Sequence, residues 1–139
     1  MQLSQKMILG IGIDLVLVER IEKLISQFKE KFEQKIFTKK EILRAGKLKV
    51  PAKKNLFYAK RFAAKESFSK ALGTGIGRGI NFCDIEVEND SLGKPKIKIL
   101  NNKNKFLLEH FKCKKIAIHL SLTDEKSLAN AIVIIEKIS

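Results

Sequence analysis

"RFAAKESFSKALGTGIG", Arg61 to Gly77, passes from helical spacing into alternate glycines. Phe62, Glu66 and Lys70 follow one another at i, i+4, with Ala59, Ala63, Ser69 and Gly73 beside them, the period of an α-helix. The glycines at 73, 75, 77 and 79 cannot sustain helical order, so the spacing predicts a long helix from about Asn55 to Leu72, followed by a loop. Glu66 sits among small and apolar neighbours, where an unpaired charge costs several kcal/mol. Two readings follow. One is a helix pair with Lys70, worth about 0.2–0.5 kcal/mol; the other is a ligand to a metal ion.

Upstream, Leu9, Ile11, Ile13 and Leu15 alternate with Ile8, Gly10, Gly12 and Asp14, the period of a strand. Gly10, Gly12 and Asp14 therefore share a face, and glycine in a strand marks close approach of a ligand or another backbone. Asp14 reads either as a turn residue or as a ligand at the end of that bare face. Val18, Ile21, Ile25, Phe28 and Phe32 then recur as the buried stripe of one surface helix. "TKKE", Thr38 to Glu41, has the form of a capping box opening a short helix that ends near Gly46. "GKLKVPAKKN" reads as a basic connector around Pro51.

Downstream, "INFCDIEV" and "KPKIKIL" flank the turn "ENDSLGKP" as a hairpin. "NKNKFLLEHF" reads as a short helix, and "KKIAIHLSL" and "ANAIVIIEK" as two strands joined by "TDEKS". The expected fold class is α+β: a strand, helices, then an antiparallel sheet in a single domain spanning 1–139. Length agrees, since 139 residues match the commonest domain size.

The formal charge is +13, an attractive field for anionic partners that does not choose among them. A hydrophobic content of 45% excludes a disordered basic tail, and no apolar run reaches the roughly 20 residues needed to cross a bilayer. "MQLSQKMILGIGIDLVLVERIE" carries Asp14 within its apolar run and has no small-residue cleavage site, so it reads as structure rather than a secretory signal, and the protein as cytoplasmic. Cys83 and Cys113 form no C-x-x-C pair and read as free thiols.

Magnesium takes oxygen ligands, commonly one or two carboxylates with water and substrate phosphate completing the sphere. Asp14 and Glu66 are the candidate pair. Lys70, one turn beyond Glu66, would point at the same phosphates, and the backbone from Gly73 to Gly77 would approach them unobstructed. The glycine run lacks the G-x-x-x-x-G-K-[ST] pattern and precedes a strand, which argues against a nucleotide triphosphatase.

Together, "GIGIDLVLVERIE", "RFAAKESFSKALGTGIG", "NDSLGKPKI" and "HLSLTDEKSLANAIVIIE" resemble, in order and spacing, the holo-[acyl-carrier-protein] synthase family of 4'-phosphopantetheinyl transferases, in its compact single-domain form. The resemblance implies transfer of 4'-phosphopantetheine from coenzyme A to a serine of apo-acyl carrier protein, releasing adenosine 3',5'-bisphosphate. It implies Asp14 and Glu66 as magnesium ligands, Lys70 on the phosphates, and Gly73 and Thr74 beside the coenzyme. It places Lys53 or Lys54 near the adenosine 3'-phosphate and Arg20 on the docking surface for the acidic carrier protein. It also implies a homotrimer with active sites between subunits. Where many relatives have a Ser-His pair this chain has Thr123 and Asp124, so the histidine's coenzyme contact does not carry over; His119 reads as a sheet residue. Either Glu66 or a metal-bound water would accept the serine proton.

Two rivals remain at this level. A small RNA- or ribosome-associated α+β protein would explain the charge, but the basic residues are dispersed and no RNP-like aromatic motif is present, so neither nucleic acid nor membrane is expected as a partner. A magnesium enzyme acting on another phosphorylated cofactor would use the same carboxylates.

Overall fold

The computed structural model describes residues 5–139. The first four residues of the N-terminal stretch lie outside them. In chain order the elements are β1 (Met7–Leu17), α1 (Val18–Phe28), α2 (Glu30–Ile36), α3 (Lys39–Gly46), α4 (Pro51–Leu72), a 3₁₀ turn (Phe82–Asp84), β2 (Ile85–Asn89), β3 (Pro95–Ile99), α5 (Lys103–His110), β4 (Ile116–Glu125) and β5 (Leu128–Lys137). The α+β class is as expected, but the strands form two sheets. One is antiparallel in the order β1-β5-β4, and the other is the β2-β3 hairpin.

α4 lies across the inner face of the three-stranded sheet, and the glycine face of β1 makes this possible. A Cβ on Gly10 would overlap the backbone of Ala71, and one on Gly12 the backbone of Ser67. The close approach signalled by those glycines is thus helix backbone against strand backbone. Ser67 Oγ fastens the contact by donating to the carbonyl of Ala131 on β5 at 2.9 Å. Val16, Ala129, Ala131, Val133 and Ile135 complete the buried layer under the helix.

Three boundaries differ from the sequence reading. Pro51 is not part of a connector but opens α4, because a helix tolerates proline at its first position, where the missing N–H has no partner anyway. The helix therefore includes Lys53 and Lys54. The stripe from Val18 to Phe32 is broken at Lys29, whose φ of 49° ends α1, leaving Phe28 exposed while Phe32 packs in the core from α2. β4 continues through Thr123 and Asp124, so only Lys126 and Ser127 lie between β4 and β5.

The lysine-studded look of α4 conceals a buried charge. Lys65 is fully buried, its Nζ donating to Glu41 Oε1 at 2.6 Å and to the carbonyls of Ile36 at 2.7 Å and Phe82 at 3.1 Å. Burial pushes the Lys65 ammonium below its ordinary pKa and the charge of Glu41 opposes that shift. Glu41 closes the expected capping box with Thr38 and also accepts the Val87 N–H through Oε2 at 2.9 Å. Thr38 in turn donates to Glu86 on β2 at 2.6 Å. One cation thus ties α2, α3, α4 and the hairpin together. Breaking such a pair from one side leaves a bare buried charge, so Lys65→Met is expected to cost about 3–5 kcal/mol, measurable by urea unfolding. Gly12→Ala is expected to cost at least about 1–3 kcal/mol in the same assay, because α4 must be pushed off the strand.

Candidate active site

At the C-terminal half of α4 the helix faces β1, and three charges meet. Asp14 lies on the inner face of β1 with its side chain 17% exposed, its Oδ1 3.1 Å from Lys70 Nζ. Lys70 Nζ also donates to the carbonyl of Ile13 at 2.9 Å. Lys70 is therefore held by the strand end and does not form the simple helix pair with Glu66 that spacing allows. Glu66 is half-buried and feels both charges. Burial raises its pKa, the neighbouring Asp14 charge raises it further, and Lys70 and Arg20 pull it back down.

Arg20 comes from α1. Its guanidinium carbon lies 5.6 Å from the centroid of the Phe62 ring, one turn before Glu66 on α4, and the side chain is otherwise exposed. Asp14, Glu66, Lys70 and Arg20 thus form one cluster drawn from three elements. The loop that follows belongs to it by continuity. Gly73 ends α4 in the left-handed conformation, φ 89°, with its N–H on the Ser69 carbonyl at 3.1 Å, and Thr74 Oγ1 donates to the Gly75 carbonyl at 3.0 Å.

Lys53 and Lys54 are elsewhere. They occupy the first turn of α4, about 20 Å along the helix axis from Glu66, so within one chain they do not meet the carboxylate pair. A cavity of about 980 Å³ lies between α3 and the β2-β3 hairpin, lined by residues including Phe37, Leu43, Cys83 and Lys98. His119 is a β4 residue as expected, with Nε2 3.1 Å from Glu136 on β5.

One pair escaped the sequence reading. Lys60 Nζ lies 3.1 Å from Asp124 Oδ1. With Asp124 placed in a loop there was no face to assign it to, whereas extending the strand alternation two residues further would have turned it toward α4.

The donor set suits a hard cation. Among the described residues no group of three or more histidine, cysteine or acidic side chains converges, so a cation held by Asp14 and Glu66 would take the rest of its coordination sphere from water and substrate oxygen. That is the division magnesium favours. The Asp14 charge adds to burial in raising the Glu66 pKa, as a second carboxylate nearby does.

Comparison with known proteins now identifies the class. Residues 10–131 match the family model of the 4'-phosphopantetheinyl transferase superfamily, and the chain belongs to that superfamily. Within it, the chain is similar to the holo-[acyl-carrier-protein] synthases: it is 44% identical to that of Pelagibacter ubique, over 94% of this chain and 98% of the relative. It is 47% identical to that of Bartonella tribocorum, over 94% and 96%. Among solved structures, the Bacillus anthracis holo-(acyl-carrier-protein) synthase in complex with coenzyme A (3',5'-ADP) superposes with a TM-score of 0.77 at 40% identity, over 94% of this chain and 98% of that one. The Neisseria meningitidis holo-[acyl-carrier-protein] synthase gives 0.81 at 37% identity, over 94% and 100%.

The electrostatics predict opposite effects of one substitution on stability and function. A carboxyl whose pKa is raised on folding binds its proton more tightly in the native state, so its contribution to stability is present at low pH and lost as pH rises through the folded pKa. Glu66→Gln removes that penalty. At neutral pH without metal the variant is expected to melt about 1–3 °C higher than wild type by differential scanning calorimetry, while magnesium no longer raises its Tm. In the wild type the magnesium-dependent Tm increase is expected to grow as pH rises from the carboxylate range toward neutrality.

Proposed function

We propose that this protein is a magnesium-dependent 4'-phosphopantetheinyl transferase that moves the phosphopantetheine arm of coenzyme A to a serine of apo-acyl carrier protein, the step that makes carrier protein competent for fatty acid synthesis. The observation that carries the reading is the Asp14–Glu66–Lys70 cluster set against a glycine loop in a chain of this superfamily. The similarity to a synthase solved with coenzyme A supports the co-substrate.

The reaction forms a bond from the serine oxygen to phosphorus, breaks the pyrophosphate P–O bond, and releases adenosine 3',5'-bisphosphate. Asp14 and Glu66 would hold magnesium, which when bound supplies positive charge against the pyrophosphate oxygens. Lys70 is fixed by Asp14 and the Ile13 carbonyl, so its charge meets the leaving group without reorganising during the reaction. Gly73 and Thr74 leave the backbone open beside those phosphates. Lys53 and Lys54, in a first helical turn without acidic residues, lie about 20 Å from Glu66 and would reach the adenosine 3'-phosphate only from a second copy of the chain. Arg20, exposed next to Glu66, would dock the acidic carrier protein so that its serine enters over the carboxylates.

The outer face of the three-stranded sheet supports a homotrimer. Ile11, Ile13, Leu15 and Leu17 on β1 are each more than half exposed, and β5 sets Ile132 and Ile134 beside them on the same face. A monomer rarely keeps so continuous an apolar patch. Subunit contacts there would also supply a second wall to the site. No helix is long and apolar enough to cross a membrane, and we place the enzyme in the cytoplasm, where coenzyme A and carrier protein meet.

With magnesium and coenzyme A, the protein is expected to add about 340 Da to apo-acyl carrier protein by intact-mass spectrometry, the mass of one phosphopantetheine arm. Absence of the adduct with a competent carrier overturns the reading. Asp14→Ala and Glu66→Ala are each expected to abolish transfer with the circular dichroism spectrum unchanged. Arg20→Glu is expected to raise KM for carrier protein more than about tenfold and leave KM for coenzyme A near wild type. Ile13→Asp is expected to convert a trimer to monomer in analytical ultracentrifugation.

A further inference from the structure

The loop that follows α4 is held at both ends by α5. Gly73, Gly75, Gly77 and Gly79 all have positive φ, between 75° and 105°. A glycine backbone has more freedom to lose than any other, so such a loop settles into one conformation only where its surroundings hold it. Inside the loop the Gly77 N–H donates to the Ile80 carbonyl at 2.8 Å, and buried Leu72 and Ile80 anchor its ends. α5 supplies two further contacts. A helix leaves its last carbonyls without partners of its own, and His110 Nε2 lies 3.0 Å from the Leu72 carbonyl oxygen. That oxygen only accepts, so His110 carries a proton on Nε2. At the other end of the loop the Phe106 ring fills the space beside Gly79, where an added Cβ would overlap it. Phe106 and His110 stand one turn apart on α5 and stack with ring centroids 5.9 Å apart, while Leu107 is fully buried and roots the helix in the core.

We propose that His110 and Phe106 are positioning residues for the transfer reaction: they fix the span of loop 73–79, so that its backbone meets coenzyme A already in the conformation that binds it. The inference rests on the coenzyme reading given above. Neither side chain needs to touch the coenzyme. The Leu72 carbonyl lies two residues beyond Lys70, so a hydrogen bond at that oxygen sets where the helix stops and the loop begins, next to the cation fixed on Asp14. Ordering four glycines at the moment of binding would weaken the hold on the coenzyme, and a loop ordered beforehand avoids that cost. His110 acts through a hydrogen bond and Phe106 through shape, so substitution separates the two.

The test combines transfer kinetics with hydrogen exchange. His110→Leu, which removes the donor, is expected to raise KM for coenzyme A about fivefold, the order of one hydrogen bond, with kcat and KM for apo-acyl carrier protein within about twofold of wild type. His110→Gln keeps a side-chain N–H and is expected to restore most of the difference. In the free protein the amides of residues 73–79 are expected to exchange about fivefold faster in His110→Leu than in wild type, and saturating coenzyme A is expected to slow them in both. Gly79→Ala drives a methyl into the Phe106 ring and is expected to raise KM for coenzyme A about tenfold, part of which Phe106→Ala recovers in the same chain. A lower Tm in His110→Leu with KM and loop exchange unchanged makes His110 a structural residue and overturns its role, as does an equal rise in both KM values. A Gly79→Ala loss that Phe106→Ala does not reduce overturns the role of Phe106. If the wild type transfers nothing from coenzyme A, it is the coenzyme reading that fails, and exchange in the free loop still decides whether α5 holds it.

Discussion

The contact between the backbone of α4 and the backbone of β1 is the constraint on which the rest of the molecule depends. Gly10 and Gly12 remove the side chains that would hold a helix at ordinary distance from a sheet, and Ser67 and Ala71 fill the gap with their own main chain. The approach decides chemistry as well as packing. Asp14 follows Gly12 on the same face, so a helix lying this close brings Glu66 and Lys70 to the strand end, where a helix at normal separation would leave the carboxylates apart. Burial raises the Glu66 pKa and the nearby Asp14 charge raises it further, a cost of holding the carboxylate at this place in the free protein.

A second constraint keeps α4 from sliding or rotating over the sheet. The Lys65–Glu41 pair reaches from the opposite side of the helix to α2, α3 and the β2-β3 hairpin, with the Lys65 ammonium making three hydrogen bonds in a site closed to water. Such a pair contributes little net stability compared with apolar packing, but its geometry is exacting, because each unmet hydrogen bond is costly inside the protein. Rigidity on one face of α4 thereby preorganises the charges on another. The site needs this, since phosphoryl transfer depends largely on fixed charges placed around the phosphates.

The distribution of positive charge follows from the same architecture. Lys65 serves the interior, and Arg61 is also buried, its guanidinium 3.7 Å from the Phe57 ring centroid and its pKa lowered to about 10 by burial. Lys70, Lys53, Lys54 and Arg20 are the cations that the proposed function assigns to phosphates and an acidic partner. The basic composition therefore divides into at least two uses that formal charge alone does not separate. The apolar outer face of β1 is equally divided from the glycine face by strand alternation: one side of the strand admits the helix, and the other leaves Ile11, Ile13, Leu15 and Leu17 exposed.

Much of this was legible in the sequence, because helical and strand periods are local and the residues that break them are distinctive. The alternation at Gly10, Gly12 and Asp14, the capping box at Thr38 and the glycine stop after Leu72 each report a few bonds between near neighbours, and the structure realises all three. What the sequence left open was decided by contacts between distant segments. Spacing offers Lys70 to Glu66, yet packing gives it to Asp14, 56 residues away. Lys65 and Lys60 look like any surface lysines until tertiary structure buries one against Glu41 and hands the other to Asp124. An ion pair forms where folding places two charges, and no period in the chain records that distance.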